Sequence, residues 1–206
     1  MSGLMTARRE LLQWDWGGLA PGYRRVDYLE GSGTQYIDTG YVPKFAETDE
    51  FYLRFAVLNK KTMILFGTND YGSGNYRAQQ PSMNYRLRAD IYNTAQHFGY
   101  CTDGDWNEYH IANGTVTCLS QSYVYTPSKW ADNPNHLYLF AQGTTQASTI
   151  SIARISSMYY KENGEFVRNL IPCVRESDSK PGMYDTVTGS FYTNIGTGEF
   201  TVPAAS

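Results

Sequence analysis

Apolar and polar residues alternate with a period of two along most of this chain. Phe51, Leu53, Phe55 and Val57 alternate with Tyr52, Arg54 and Ala56, which predicts a strand with one buried face. Tyr85, Leu87, Ala89 and Ile91 repeat the pattern against Arg86, Arg88 and Asp90. Met63-Ile64-Leu65-Phe66 is a short apolar run that reads as a strand buried on both faces, and His136–Ala141 reads as another strand. Asn113-Gly114 separates Tyr109–Ala112 from Val116–Leu119, and Asn163-Gly164 separates Met158–Tyr160 from Phe166–Ile171. Asn-Gly is the preferred centre of a type I′ hairpin, because both central residues take positive φ. Between Arg154 and Tyr160 the apolar phase shifts from Ala153/Ile155 to Met158/Tyr160, which predicts a bulge at Ser156–Ser157. About a dozen such short strands, punctuated by turns, indicate an all-β sandwich or jelly roll.

The first sixteen residues have a different period. Leu4, Ala7, Leu11 and Trp14 fall on one helical face, widened by Met5 and Leu12, and the intervening residues are polar. A helix this short is unstable alone in water, so it docks on its own domain or on another chain. Gly17-Gly18 and Pro21-Gly22 separate it from the strand-rich remainder of the chain. The expected organisation is an attachment segment and linker over residues 1–20 and one domain over 21–206. The longest polar, loop-like stretches are Thr68–Met83, Cys101–Trp106 and Gln121–Asn135.

Composition narrows the function classes. Of 206 residues, 15% are aromatic, with 18 Tyr, and only 18% are charged. That balance suits half-buried strands and binding surfaces alike. The formal net charge is −3 with no Lys/Arg-rich run, so phosphate-backbone binding has no electrostatic footprint. No apolar run is long enough to span a bilayer. The N-terminus lacks the apolar core and cleavage site of a signal peptide, which leads us to expect maturation in a cytoplasm. Cys101, Cys118 and Cys173 show no metal-site spacing and read as half-buried free thiols; a Cys101–Cys118 bridge is conceivable.

Two segments resemble a known family. GYRRVDYLEGSGTQYIDTGYVP, residues 22–43, resembles the opening motif of concanavalin A-like (laminin-G-like) jelly-roll domains of gut bacteria and their phages. FVRNLIPCVRESDSKPGMYDTVTGSFYTNIGTGEF, residues 166–200, resembles their closing segment. LYLFAQ at 137–142 and Arg154-Ile155 are similar to intermediate strands. Gly31 stands where the family usually has Ser, at what reads as a turn. The resemblance implies a two-sheet antiparallel jelly roll with its terminal strands close together. It gives structural roles to Gly33 and Gly40 in turns, to Asp38 as a turn cap, and to Pro172 and Gly182 as punctuation. The function it implies is adhesion or display, with glycans as ligands, and it carries over no catalytic residue.

The chemistry-bearing residues point to no catalytic centre. A retaining glycosidase needs two carboxylates about 5 Å apart. Glu47 and Asp49 share a strand face with no third carboxylate at Phe51 or Leu53, and read as a solvated strand start. No G-x-S-x-G is present. Asn69, Asp70, Asp103 and Asp105 are oxygen-bearing loop residues without a calcium-loop pattern, so ordinary turns explain them. Asn113-Gly114-Thr115 fits a glycosylation acceptor, and its hairpin role suffices. For a sugar ligand the candidates are Trp106 with neighbours Asp105 and Asn107, then Tyr109, Tyr71, Tyr76 and Trp130, since binding sites pair an aromatic platform with convergent polar groups. Tyr123 and Tyr125 flank the same loops.

Together these features read as a non-enzymatic phage virion protein, a head decoration, head fibre or tail-associated adhesin. It needs no cofactor or metal. It docks on other virion proteins through Leu4, Ala7, Leu11 and Trp14, forms homo-oligomers, and meets host-surface or mucin glycans. Neither nucleic acid nor membrane insertion is expected. Virions assemble in the host cytoplasm, which reconciles a display fold with the missing leader. A bacterial glycan-binding surface module is the alternative, and a glycanase the third.

Overall fold

The computed structural model describes residues 18–59, 63–68, 76–80, 86–91, 94–125, 135–142 and 150–204. The stretch expected to form the N-terminal helix, with Leu4, Ala7, Leu11 and Trp14, lies outside the described residues. Among the described residues there is no helix. The strands run β1 Tyr23–Arg25, β2 Leu29–Ser32, β3 Ile37–Asp38, β4 Glu50–Val57, β5 Met63–Thr68, β6 Tyr76–Gln80, β7 Arg86–Ile91 and β8 Thr94–Tyr100. They continue as β9 Trp106–Ala112, β10 Thr115–Cys118, β11 Gln121–Val124, β12 Leu137–Leu139, β13 Ile152–Glu162, β14 Glu165–Arg175, β15 Lys180–Asp185 and β16 Phe191–Thr193.

The strands form two antiparallel sheets. A ten-stranded sheet has the order β11-β10-β9-β4-β13-β14-β15-β16, with β2 also beside β13 and β1 beside β14. A six-stranded sheet has the order β3-β12-β5-β6-β7-β8. One hydrophobic cluster draws on both: Phe51, Leu53, Phe55, Tyr109 and Tyr160 from the first, Leu65, Phe66, Leu87, Phe98 and Leu139 from the second. The sheets meet ring to ring. Phe66 lies 4.5 Å from Phe51 and 5.1 Å from Tyr109, and Phe98 lies 6.2 Å from Tyr109.

The alternating pattern reads correctly on β4, whose Phe51, Leu53 and Phe55 are fully buried between half-exposed Tyr52 and Arg54. Ile64, Leu65 and Phe66 on β5 are buried on both faces. Both Asn-Gly pairs form the expected turns, with φ of 49° and 66° at Asn113-Gly114 and 51° and 86° at Asn163-Gly164. The register of β13 against β4 shifts between Ile155 and Ser157, where the phase change predicts a bulge.

Several expectations are corrected. The stretches read as loops contain β6, β11 and the start of β9; β11 is the edge strand of the larger sheet, and β6 lies between β5 and β7. Gly31 is not in a turn but inside β2, where a Cβ would press on the Phe140 ring at 3.1 Å. Pro172 and Gly182 do not punctuate anything; they pair within β14 and β15. Pro172 falls where one edge of β14 changes partner from β13, which ends at Leu170, to β1, which begins at Cys173, so its missing N–H costs the ladder little. Gly182 is required because a Cβ there would collide with the Tyr192 carbonyl and the Phe191 ring. The strand expected over His136–Ala141 ends at Leu139, since buried Phe140 takes a φ of 67°. All three cysteines are free and fully buried rather than half-buried. Burial pushes the Cys101 and Cys173 thiols up to about 12, so they remain protonated and inert.

Candidate functional site

β9 brings the first candidate residues into position. Its inner residues Tyr109 and Ile111 are buried, so Trp106, Glu108 and His110 face outward, away from the second sheet. Trp106 is 37% exposed. The period of two then separates the residues that the sequence placed together. Asn107 comes directly after Trp106 and pairs with Phe55, on the face opposite the indole. Its amide Nδ2 donates to the Asp105 carbonyl at 2.8 Å, which folds it back onto the turn. Tyr109 is corrected outright: it is 1% exposed and packs against Phe51, Phe66 and Phe98, so it belongs to the core and not to a binding surface. Tyr71, Trp130 and the side chain of Tyr76 lie outside the described residues. Tyr123 donates from its hydroxyl to the His97 carbonyl at 2.8 Å and packs edge-on against Phe98.

Partners for Trp106 come from elsewhere in the chain. The Tyr28 ring, in the connection between β1 and β2, lies 5.9 Å from the indole. The Arg54 guanidinium sits 4.7 Å above the Trp106 ring, and the Arg154 guanidinium 4.7 Å above Tyr28. Arg154 Nε donates to Glu30 Oε2 at 2.7 Å. The register explains this assembly. Ala56 is opposite Trp106 on one side and Arg154 on the other, and Arg154 is opposite Glu30. Ala56 occupies an outward position on β4 yet is fully covered, so its small side chain leaves the larger neighbours room to close over it. Sequence reading missed Tyr28, Arg54, Arg154 and Glu30 because they lie on three separate segments. The signal present was polar residues at the outward positions of β4 and β13.

A second network lies further along the same face. Glu50 Oε1 accepts from His110 Nε2 at 2.9 Å and from the Tyr159 hydroxyl, and Oε2 accepts from Lys161 Nζ at 2.9 Å. Partial burial works to raise the Glu50 carboxyl, but the hydrogen bonds from Tyr159, Lys161 and His110 outweigh it and hold it down at about 2. Tyr52 stacks on Tyr159 at 5.1 Å and 10°, and Lys161 lies 4.7 Å over Phe166, itself 41% exposed.

The carboxylates at the start of β4 have different roles. Asp49 is only 5% exposed, which corrects the reading of a solvated strand start. Its Oδ2 accepts from the Tyr160 hydroxyl at 2.7 Å and from Ala46 N–H at 2.9 Å. The Tyr160 oxygen in turn accepts from Phe45 N–H at 2.6 Å. Burial, then the bond to Asp49, drives the Tyr160 phenol far above its ordinary range, so it stays a neutral donor. Glu47 is exposed. In the C-terminal motif, fully buried Asp185 accepts from Asn169 N–H and Val187 N–H, both at 3.0 Å, and from Thr188 Oγ1 at 2.8 Å. Asp38 Oδ1 accepts from Gly40 N–H at 2.8 Å, the turn cap that the resemblance implies. Among the described residues no group of three His, Cys, Asp or Glu side chains is placed to hold a metal ion.

No protein-family model and no curated protein matches the chain. Among solved structures it is similar to Trypanosoma rangeli sialidase in complex with 2,3-difluorosialic acid, a covalent intermediate. Identity is 15% and the TM-score 0.48, over 70% of this chain and 26% of that one. It is also similar to a mutant of Trypanosoma rangeli sialidase displaying trans-sialidase activity. Identity is then 16% and the TM-score 0.42, over 54% of this chain and 20% of that one. The chain thus spans about a quarter or less of the length of these structures. One expectation is corrected on this finding. These structures are sialidases, and the reading of a non-enzyme is withdrawn with no activity assigned in its place.

Proposed function

We propose that the chain is a carbohydrate-binding display module, a concanavalin A-like jelly roll carried by a phage virion. The observation that carries the glycan reading is the outward cluster of Trp106, Tyr28, Arg54, Arg154 and Glu30. An exposed indole beside a second ring offers a flat apolar surface for the C–H face of a sugar. Guanidinium and carboxylate groups around it can hydrogen-bond ring hydroxyls. Two packed antiparallel sheets and the motif segments at 22–43 and 166–200 support the jelly-roll assignment. The virion setting rests on the family resemblance, and the apolar sequence stripe of Leu4, Ala7, Leu11 and Trp14 is the proposed attachment.

A glycan array probed with wild type and Trp106→Ala tests the reading. Loss of the ring is expected to weaken binding about tenfold, the effect of about 1.4 kcal/mol. Equal binding by both proteins removes Trp106 from the site, and no binding by wild type to any glycan refutes the function. Detection of the chain by mass spectrometry in purified phage particles tests the setting; absence from them refutes it.

A further inference from the structure

We infer that the Arg54–Trp106 pair selects a sugar bearing a carboxylate. The inference rests on the glycan-binding reading above and names the chemical class of the ligand.

Arg54 differs from three other half-buried arginines. Arg154 has Glu30 at 2.7 Å, Arg168 has Asp185 at 3.6 Å and Arg175 has Asp178 at 2.7 Å. Among the described residues no carboxylate lies within ion-pair distance of Arg54. Glu108 is directly opposite it in the ladder but makes no ion pair with it, and its carboxylate interacts with the Tyr52 hydroxyl. The contact that Arg54 does make is with the Trp106 ring, 4.7 Å from its centroid.

A guanidinium lying on an aromatic face keeps its planar fork of N–H donors free at the edge. That fork matches the two oxygens of a carboxylate, and a charge-assisted bidentate pair is among the stronger polar contacts available. Trp106 meanwhile presents ring surface beside this guanidinium, and the Tyr28 ring lies 5.9 Å from the indole. A pyranose resting on those rings with a carboxylate substituent directed at Arg54 satisfies both features. A neutral sugar satisfies only the first. The nearby Arg154 cannot substitute, since Glu30 already neutralises it.

The test uses the whole chain on oligosaccharides in matched neutral, carboxylated and sulfated forms. Wild type is expected to prefer the carboxylated member over its neutral match by about tenfold, with added salt weakening that preference. The sulfated form should gain less, because one charge spread over three weakly basic oxygens makes each a poorer acceptor than a carboxylate oxygen. Arg54→Gln, checked for folding by circular dichroism, should bind neutral and carboxylated forms alike. Equal wild-type binding of the neutral and carboxylated forms overturns the inference and leaves glycan binding standing. So does a preference that survives in Arg54→Gln. Failure of wild type to bind any form overturns both.

Discussion

The two faces of the ten-stranded sheet are built from alternate residues of the same strands, and they are held together differently. On β4 the inward residues Phe51, Leu53 and Phe55 are fully covered, and the Phe51 ring packs against Phe66 and Tyr160. The outward residues Glu50, Tyr52 and Arg54 are half covered, and each is tied to a few named neighbours. Inward, stability comes from area removed from water and from close packing, and it is spread over the whole cluster. Outward, it comes from individual hydrogen bonds and cation–π contacts worth little each in partial solvent. The face that contributes least to folding is therefore the one free to carry a ligand. Substitutions that alternate along a single strand separate the two roles.

The largest effect is expected inside. Phe51→Ala removes a ring that touches Phe45, Phe66, Tyr109 and Tyr160, and should cost about 3–5 kcal/mol. Thermal unfolding should show the midpoint falling by roughly 6–20 °C, given about 2–4 °C per kcal/mol at this size. A midpoint change within a degree or two would mean that the inner face does not carry the fold.

Next comes the rim of the core. Asp49→Ala leaves the buried Tyr160 hydroxyl and the Ala46 N–H without their acceptor, at a cost of about 1–3 kcal/mol. Denaturant titration should lower the transition midpoint at unchanged slope. A neutral outcome would show that water replaces the carboxylate.

Glu50 sharpens the comparison through pH. Its carboxyl titrates in the folded protein at about 2 against an ordinary 4.5. A depressed value means that its stabilising contribution is complete above about pH 4.5 and is lost as pH falls through about 2. Glu50→Gln should cost no more than about 1 kcal/mol at neutral pH, because the network is partly solvated. It should also flatten the dependence of the melting temperature on pH across that window. An identical acid profile for variant and wild type would show that the Glu50 network contributes nothing.

The smallest change in stability is expected at Trp106. Trp106→Ala removes one cation–π contact and partly exposed ring surface, about 0.5–1 kcal/mol, while the sheet beneath stays intact. The melting temperature should move by only a few degrees although glycan binding falls about tenfold. A collapse of the fold would make the indole part of the core and erase the distinction between the faces.

What the sequence alone determined is local. Alternation on β4, the apolar run on β5, both Asn-Gly turns and the bulge after Ile155 arise from side-chain period and backbone preference within a few residues. Those signals suffice for an all-β chain of antiparallel strands. They do not reveal which strands adjoin, because pairing depends on the whole set of partners competing for each edge. β13 illustrates this, with β4 along one edge and β2 and β14 sharing the other. The candidate site shows the same division. Asp105, Trp106 and Asn107 are adjacent in sequence, yet the strand period turns Trp106 and Asn107 to opposite faces. The side chains that do surround the indole come from Tyr28, Arg54, Arg154 and Glu30, and only the tertiary structure brings them together. Sequence neighbours in a strand point apart, whereas neighbours across the ladder point the same way, so a surface on a sheet is composed between strands and not along them.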